Sequence, residues 1–269
     1  MNYNWNWKIF WELSPDGQGT YMDTLLSGLQ WTLATALAAW VIAFVLGSIV
    51  GVVRTTQLKW AVRLAGAYVE LFRNIPLLVQ LFLWYFVLPE VIPTAAGTWL
   101  KQMPPPWGAF VPALFCLSFY TAARVAEQVR AGIEALPQGQ REAAAALGLR
   151  PGLTYRLVLI PQALRMIVPS LTSEVMGIYK NTSVALTIGV IELTAAARQI
   201  SEATFQTFAA FAWATVIYLA LALVAYRLML VIDRKLQIPG LGSVRAPVRR
   251  RGALRWLNLG EWRRAGGVS

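Results

Sequence analysis

Long stretches of apolar residues without charge recur along the chain and predict membrane-spanning helices, because a helix needs roughly 20 such residues to cross a bilayer core. We place five spans at 24–53, about 61–88, 107–123, about 161–179 and about 203–226. The third helix is expected to continue past 123 through Arg124, Glu127 and Arg130. The apolar segment SVALTIGVIEL from Ser183 is too short to cross alone, and a re-entrant or interfacial helix fits it. The sequence therefore predicts an all-α integral membrane protein.

The basic residues indicate how the spans are oriented. Lysine and arginine are concentrated in 54–63, in the loop 130–156 and in the tail after 226, whereas 1–23 and 89–106 carry few. Cytoplasmic loops are the ones that carry such an excess. We therefore expect an outside, periplasmic N-terminal segment (1–23), a transmembrane domain (24–239) and a basic cytoplasmic tail (240–269). A solvated tail is the simpler interpretation, and contact with anionic lipid is the alternative.

Composition excludes several classes of function. Charged residues make up 14% of the chain and apolar residues 57%, against about 25% charged in soluble proteins. With no histidine and one cysteine, His-based catalysis, Cys/His metal sites and internal disulfides are excluded, and no metal site or enzyme active site is expected. The net charge of +11 does not indicate nucleic acid, because membrane orientation explains its distribution better.

The loop between the third and fourth spans contains REAAAALGLRPG, residues 141–152. Pro137 marks its start, and alanine has the best helix propensity. Glu142 suits the positive N-terminal end of a helix, and Gly148 followed by Pro151 is a usual stop signal. We therefore predict a short cytoplasmic helix over about 138–150, with small side chains that let another backbone approach closely. An ordinary amphipathic surface helix is the alternative.

The spacing of this loop resembles the EAA signature of ATP-binding cassette (ABC) importer permeases. Glu142-Ala143-Ala144, three residues, Gly148, nine residues and Val158-Leu159-Ile160-Pro161 match its pattern, with conservative changes from the family's Ile-x-Leu-Pro. In that family the loop is a coupling helix that inserts into a groove on a cytoplasmic ATPase. The resemblance implies an ATPase-coupling role for five residues: Glu142, Ala143, Ala144, Gly148 and Pro161.

The resemblance extends from about residue 4 to 239, through segments that begin at Tyr68, Tyr120 and Ser173. These look like the polar amino-acid uptake branch of the family, and most like glutamate/aspartate permeases. The resemblance implies a type I ABC importer permease fold in the bacterial inner membrane. The implied partners are a second homologous permease, two ATPase subunits and a periplasmic amino-acid-binding protein, with lipid around the spans.

ATP chemistry has no motif in this sequence. The chain lacks the pattern GxxxxGK[ST], whose backbone would cradle phosphates. We therefore expect no cofactor on this chain, and ATP and Mg²⁺ on the partner ATPase. The protein would be a transporter subunit that works by alternating access, not an enzyme.

Charged residues inside a membrane are costly and are functional candidates by default. Arg124 and Glu127 lie three residues apart on one helix face, and Glu174 lies in the fourth span. Lys180-Asn181-Thr182-Ser183 follows, where relatives often have Lys-Asp-Thr-Ser, and relatives often have an uncharged residue in place of Arg124. Both differences make the site more positive. A further group opens the second span and is interpreted as structural or gating: Glu70, Arg73, Asn74 and Pro76.

This charge shift favours a dicarboxylic amino acid over a cationic one. We expect Glu174 to bind the substrate ammonium, residues 180–183 its α-carboxylate, and Arg124 its second carboxylate. In a competing interpretation, Arg124 and Glu127 pair with each other or with neighbours. Two other functions remain open: a permease for neutral or amide amino acids such as glutamine and asparagine, and a stand-alone channel or secondary transporter, which would give flux without any ATPase.

Overall fold

The computed structural model describes residues 5–14, 17 and 19–236. The tail predicted over 240–269 lies outside the described residues, as do residues 1–4. Within the described ranges the regular structure is helical, apart from one isolated bridge between Leu13 and Thr20. A 3₁₀ turn, Trp7–Trp11, precedes the helices, which are α1 (Tyr21–Val53), α2 (Lys59–Asn74), α3 (Leu77–Val91), α4 (Thr94–Lys101), α5 (Trp107–Glu134), α6 (Gln138–Ala146), α7 (Pro151–Ile188), α8 (Leu193–Thr204) and α9 (Thr207–Leu236).

Three of the described helices, α1, α5 and α9, are long and apolar enough to cross a membrane, and the number rises to five if each of two bent pairs is one span. The first helix starts slightly before its predicted span because Thr20 and Asp23 form a capping box. The third helix continues through its charged residues to Glu134, as predicted. The predicted start of the last span near Ala203 is wrong: that residue lies in the last turn of α8, and the chain turns at Phe205, with φ 57°, before α9.

The second predicted span, about 61–88, is not one helix. The axes of α2 and α3 differ by 105°, and Pro76 lies at the bend. Ile75 is extended there, at φ −91° and ψ 129°, as expected for a residue before proline. The buried Gln80 side chain donates hydrogen bonds of 2.8 Å to the carbonyl oxygens of Phe72 and Ile75. It therefore satisfies backbone acceptors that the end of α2 leaves without helical partners.

The fourth span also differs from its prediction. Helix α7 starts at Pro151 rather than near 161, contains a π turn over Tyr155–Leu159 and ends in a 3₁₀ turn, Ser183–Ile188. The segment from Ser183, predicted as a re-entrant or interfacial helix, does not begin a helix of its own. That segment instead closes α7 and leads, through Gly189 at φ 89°, into α8, which is bent by 51° relative to α7.

Glycines on α1 allow its close packing against α5. A Cβ atom built at Gly47 would lie 2.7 Å from the carbonyl oxygen of Ala122, and one at Gly51 would lie 2.7 Å from that of Ala126. Both distances are shorter than a van der Waals contact. The GxxxG spacing thus lets two apolar helices approach through their backbones, which is how membrane helices commonly associate.

Candidate functional site

The short helix α6 occupies the position predicted for the coupling helix, but it ends at Ala146. Gly148 adopts a left-handed conformation with φ 76°. Its N–H donates to Ala145 O over 2.9 Å, and the N–H of Leu149 donates to Ala144 O over 3.0 Å. These two bonds make a Schellman motif, which glycine accommodates without strain. The glycine of the EAA spacing therefore has a local role in ending the helix.

The surface of α6 is mostly exposed small side chains. Ala144 is the exception, at 3% exposure, because it packs against the body of the protein. Leu147, an apolar side chain outside the predicted coupling residues, is 80% exposed at the end of the helix. Pro161 is half-buried within α7. The remaining residues predicted to couple to the ATPase are exposed: Glu142, Ala143 and Gly148. Glu142 lies in the second turn and not, as expected, at the N-terminal end.

Two contacts hold α6 against the start of α7. The Gln162 amide donates to the side-chain oxygen of Gln140 over 3.4 Å. The guanidinium of Arg141 lies 5.9 Å from the centre of the Tyr155 ring, within the range of a cation–π interaction. The short helix and the π turn of α7 are therefore linked by side chains as well as by the chain.

An ion pair between α5 and α7 joins two of the predicted substrate residues. Arg124 Nε donates to Glu174 Oε2 over 2.6 Å and Nη2 donates to Oε1 over 3.3 Å. Gln128 Nε2 donates to the same Oε1 over 3.0 Å, and Ser170 Oγ donates to the Gln128 oxygen over 2.9 Å. The Arg124 side chain is 47% exposed and that of Glu174 only 10%. The structure thus presents a half-exposed guanidinium held by a buried carboxylate. Gln128 and Ser170 were missed because neither is charged.

Glu127, the second charged residue on α5, has different partners. Its carboxylate pairs with Arg54 after α1, with Arg130 at 2.5 Å and with Arg73 of α2 at 3.6 Å. Arg124 and Glu127 therefore pair with neighbours and not with each other. Of the residues interpreted as structural or gating, Arg73 joins this cluster and Pro76 lies at the α2–α3 bend, whereas Glu70 and Asn74 are exposed on α2.

The predicted carboxylate-binding segment lies at the end of α7. Lys180 is exposed, and Asn181 is half-buried two turns beyond Glu174 on the same helix face. Thr182 is completely buried, and its hydroxyl donates to Tyr179 O over 2.7 Å. Ser183 donates to Lys180 O over 2.6 Å. In this conformation Lys180 and Asn181 are accessible to a ligand and Thr182 is not.

The chain is similar to known transport proteins. The family of binding-protein-dependent transport system inner membrane components matches residues 43–238. The chain belongs to this family. It is 42% identical over 241 residues to the glutamate/aspartate import permease protein GltJ of Escherichia coli K12, covering 89% of this chain and 98% of that protein. It is 36% identical over 216 residues to the nopaline transport system permease protein NocM of Agrobacterium fabrum, covering 78% and 86%.

Solved structures of the family have the same fold. A crystal structure of an amino acid ABC transporter with histidines is 32% identical and has a TM-score of 0.68, over 80% of this chain and 95% of that chain. An inward-facing structure of the MetNI methionine ABC transporter, 24% identical with a TM-score of 0.67, covers 84% and 100% and supports the fold alone. This chain is thus a multi-pass inner-membrane permease of an amino-acid ABC importer, a family that implies ATPase and substrate-binding partners.

A buried acid in this permease was missed from the sequence. Glu192 is completely buried at the start of α8. One carboxylate oxygen accepts the Ala195 N–H over 2.8 Å, and the other accepts the Tyr218 hydroxyl from α9 over 2.5 Å. Beside it, Thr32 of α1 accepts the Leu193 N–H over 3.1 Å. These bonds join three helices. Within the described residues, no group of three or more His, Cys, Asp or Glu side chains could hold a metal ion.

Proposed function

We propose that this permease moves acidic L-amino acids, glutamate and aspartate, into the cell by alternating access. In this proposal it spans the membrane five times, with its N-terminus outside and its C-terminus in the cytoplasm. It works with a second homologous permease, two ATPase subunits that bind ATP and Mg²⁺, and a periplasmic amino-acid-binding protein. Helix α6 is the element that docks on an ATPase, through its exposed residues and Leu147.

The observation that carries the substrate class is the geometry of Arg124. A guanidinium has five N–H donors arranged in a planar fork. Glu174 occupies the edge formed by Nε and Nη2. The edge formed by Nη1 and Nη2 makes no ion pair within the described part of the chain, and it has the geometry to bind a carboxylate through two parallel hydrogen bonds. An arginine so held inside a membrane protein is suited to an anionic side chain.

The surrounding charges support an acidic ligand. Lys180 adds an exposed cation on α7, six residues after Glu174. Two cations and one carboxylate, Arg124 and Lys180 against Glu174, leave one net positive charge. Glutamate and aspartate carry one net negative charge at neutral pH. We assign Arg124 to the side-chain carboxylate, and Lys180 with Asn181 to the α-carboxylate.

We revise the role predicted for Glu174. It was expected to bind the substrate ammonium, but its side chain is 10% exposed and both oxygens are occupied by Arg124 and Gln128. A buried carboxylate with these partners fixes the orientation of the guanidinium. We therefore assign Glu174 to holding Arg124 and not to direct contact with the ammonium.

The test is uptake by the complete importer reconstituted in proteoliposomes with Arg124→Ala. We expect at least a tenfold loss of aspartate and glutamate uptake, which corresponds to about 1.4 kcal/mol, because the second carboxylate loses its partner. Arg198→Ala is the matched control, since Arg198 also pairs with a glutamate, Glu202, but on an exposed surface. Unchanged aspartate uptake and substrate preference in Arg124→Ala would refute the assignment.

Two further measurements separate the other functions. Competition between glutamate, aspartate, glutamine and asparagine for the purified binding protein distinguishes an acidic from an amide substrate. Proteoliposomes that contain only this chain test for a channel or secondary transporter. Amino-acid flux without ATPase would contradict the proposed ATP-driven import.

A further inference from the structure

Tyr155 lies in the π turn of α7 and contacts the end of α1. Its hydroxyl donates to the carbonyl oxygen of Thr55 over 2.6 Å and accepts from Thr55 Oγ1 over 3.2 Å. These residues are separated by 100 positions in the sequence. A π turn places one extra residue in a helical turn and is frequent at functional sites. Here it contains the side chain that reaches across to α1.

The same tyrosine also contacts α6. The Arg141 guanidinium lies 5.9 Å from the ring centre, so one half-buried side chain meets the short helix through its ring and α1 through its hydroxyl. Displacement of α6 by a docked protein would therefore act directly on Tyr155. No other residue is required between them.

The contact with α1 leads to a second set of charges. Thr55 follows Arg54, which caps the C-terminal end of α1 and pairs with Glu127 on α5. Glu127 is also 3.6 Å from a guanidinium nitrogen of Arg73 on α2. The end of α1 therefore has a direct polar contact with α5 and is linked to α2 through Glu127 and to α6 through Tyr155.

We propose that Tyr155 is the positioning residue that carries movement of α6 to the end of α1 during transport. The Tyr155–Thr55 contact persists in both conformations of the importer, so that α1 moves together with α6. Without this contact, α6 still moves with the ATPase, but fewer of its movements are followed by movement of α1. The inference rests on the proposed docking of α6 and concerns the step that follows docking.

The decisive experiment measures ATP hydrolysis and aspartate uptake in the same proteoliposomes with Tyr155→Phe. Phenylalanine keeps the ring next to Arg141 and removes both hydroxyl hydrogen bonds. We expect hydrolysis stimulated by the binding protein to persist and uptake to fall, so that the ATP used per substrate rises at least threefold. A purely structural role would lower both activities together and leave the ratio unchanged, and that result would overturn the proposal. Tyr226→Phe is the matched control, because Tyr226 is 42% exposed on α9.

Copurification of the ATPase separates this proposal from the docking on which it rests. Tyr155→Phe is expected to retain the ATPase. Its loss would make Tyr155 a docking residue and overturn the proposal. If the ATPase does not dock on α6, the result would be different: Gly148→Val would still copurify with the ATPase.

If Tyr155→Phe does not assemble, Thr55→Val provides the test. It removes the Thr55 hydroxyl, which donates to Tyr155 over 3.2 Å and to Val52 O over 2.8 Å, and keeps the carbonyl acceptor, so a smaller rise in ATP used per substrate is expected. An unchanged ratio in that variant would overturn the proposal.

Discussion

The Tyr218 hydroxyl on α9 donates a 2.5 Å hydrogen bond to Glu192 at the start of α8, where Glu192 is completely buried and Tyr218 is half-buried. The carboxylate also caps α8 through the Ala195 N–H. Two donors from different helices thus converge on one acid. Because a buried donor without a partner costs about 1–3 kcal/mol, Glu192 is placed to determine how α8 and α9 pack together.

We predict that Glu192→Ala lowers the thermal stability of the purified permease by several degrees, because it removes the side-chain acceptor of the Ala195 N–H and leaves the Tyr218 hydroxyl only its contact with Thr194. Glu192→Gln keeps an oxygen acceptor, and its melting temperature should fall by less than half as much as that of Glu192→Ala. Glu202→Ala is the control, since Glu202 is exposed in a surface pair with Arg198, and such pairs contribute about 0–1 kcal/mol. Equal melting temperatures for Glu192→Ala and Glu202→Ala would contradict the prediction.

Gly47→Val is predicted to destabilise the contact between α1 and α5. The added side chain would meet the Ala122 carbonyl at 2.7 Å, and overpacking a well-packed contact costs about 1–3 kcal/mol. Gly66→Val on α2 is the matched control because a Cβ there meets nothing within 4 Å. Thermal unfolding in detergent, followed by gel filtration, measures both variants. A Gly47→Val protein as stable as Gly66→Val would show that the two helices separate without cost.

The helices predicted correctly are those determined by local pattern. Helices α1 and α5 follow from apolar runs whose ends coincide with the helix ends or continue through a few charges. The short helix α6 likewise follows from neighbouring residues, since Pro137 starts it and Gly148 ends it. In these cases the signal and its physical cause lie within a few residues of each other.

Two of the errors involve a polar side chain whose partners lie on another helix. Pro76 was visible in the sequence, but proline can either kink a helix or end it. The sharp bend depends on Gln80 reaching back to the carbonyl oxygens at the end of α2. Glu192 was passed over at the end of an apolar segment, because its partner Tyr218 lies 26 residues away on another helix. The local pattern of apolar residues does not predict such pairings.

The orientation of Arg124 is predicted to depend on Gln128, which donates to Glu174 and accepts from Ser170. Gln128→Ala should raise the KM for aspartate uptake about tenfold, because a hydrogen bond to a charged group contributes about 1.5–3 kcal/mol. Assembly with the ATPase should be unaffected. Gln57→Ala, at an exposed position between α1 and α2, is the control. A normal KM in Gln128→Ala would remove Gln128 from the proposed site.

The last prediction concerns the left-handed residue after α6. Gly148 adopts φ 76°, and a Cβ built there meets nothing within 4 Å. A substitution therefore acts through backbone strain, about 1–2 kcal/mol for an ordinary residue, and not through a clash within this chain.

Gly148→Val should unravel the end of α6 and reduce copurification of the ATPase, because valine rarely adopts this conformation. Gly148→Asn should retain most of the copurifying ATPase, since asparagine is the usual alternative to glycine at this position. Gly152→Ala, where a Cβ also meets open space, is the control. Equal loss of the ATPase in the valine and asparagine variants would mean that side-chain size at the docking surface, and not the Schellman motif, governs attachment.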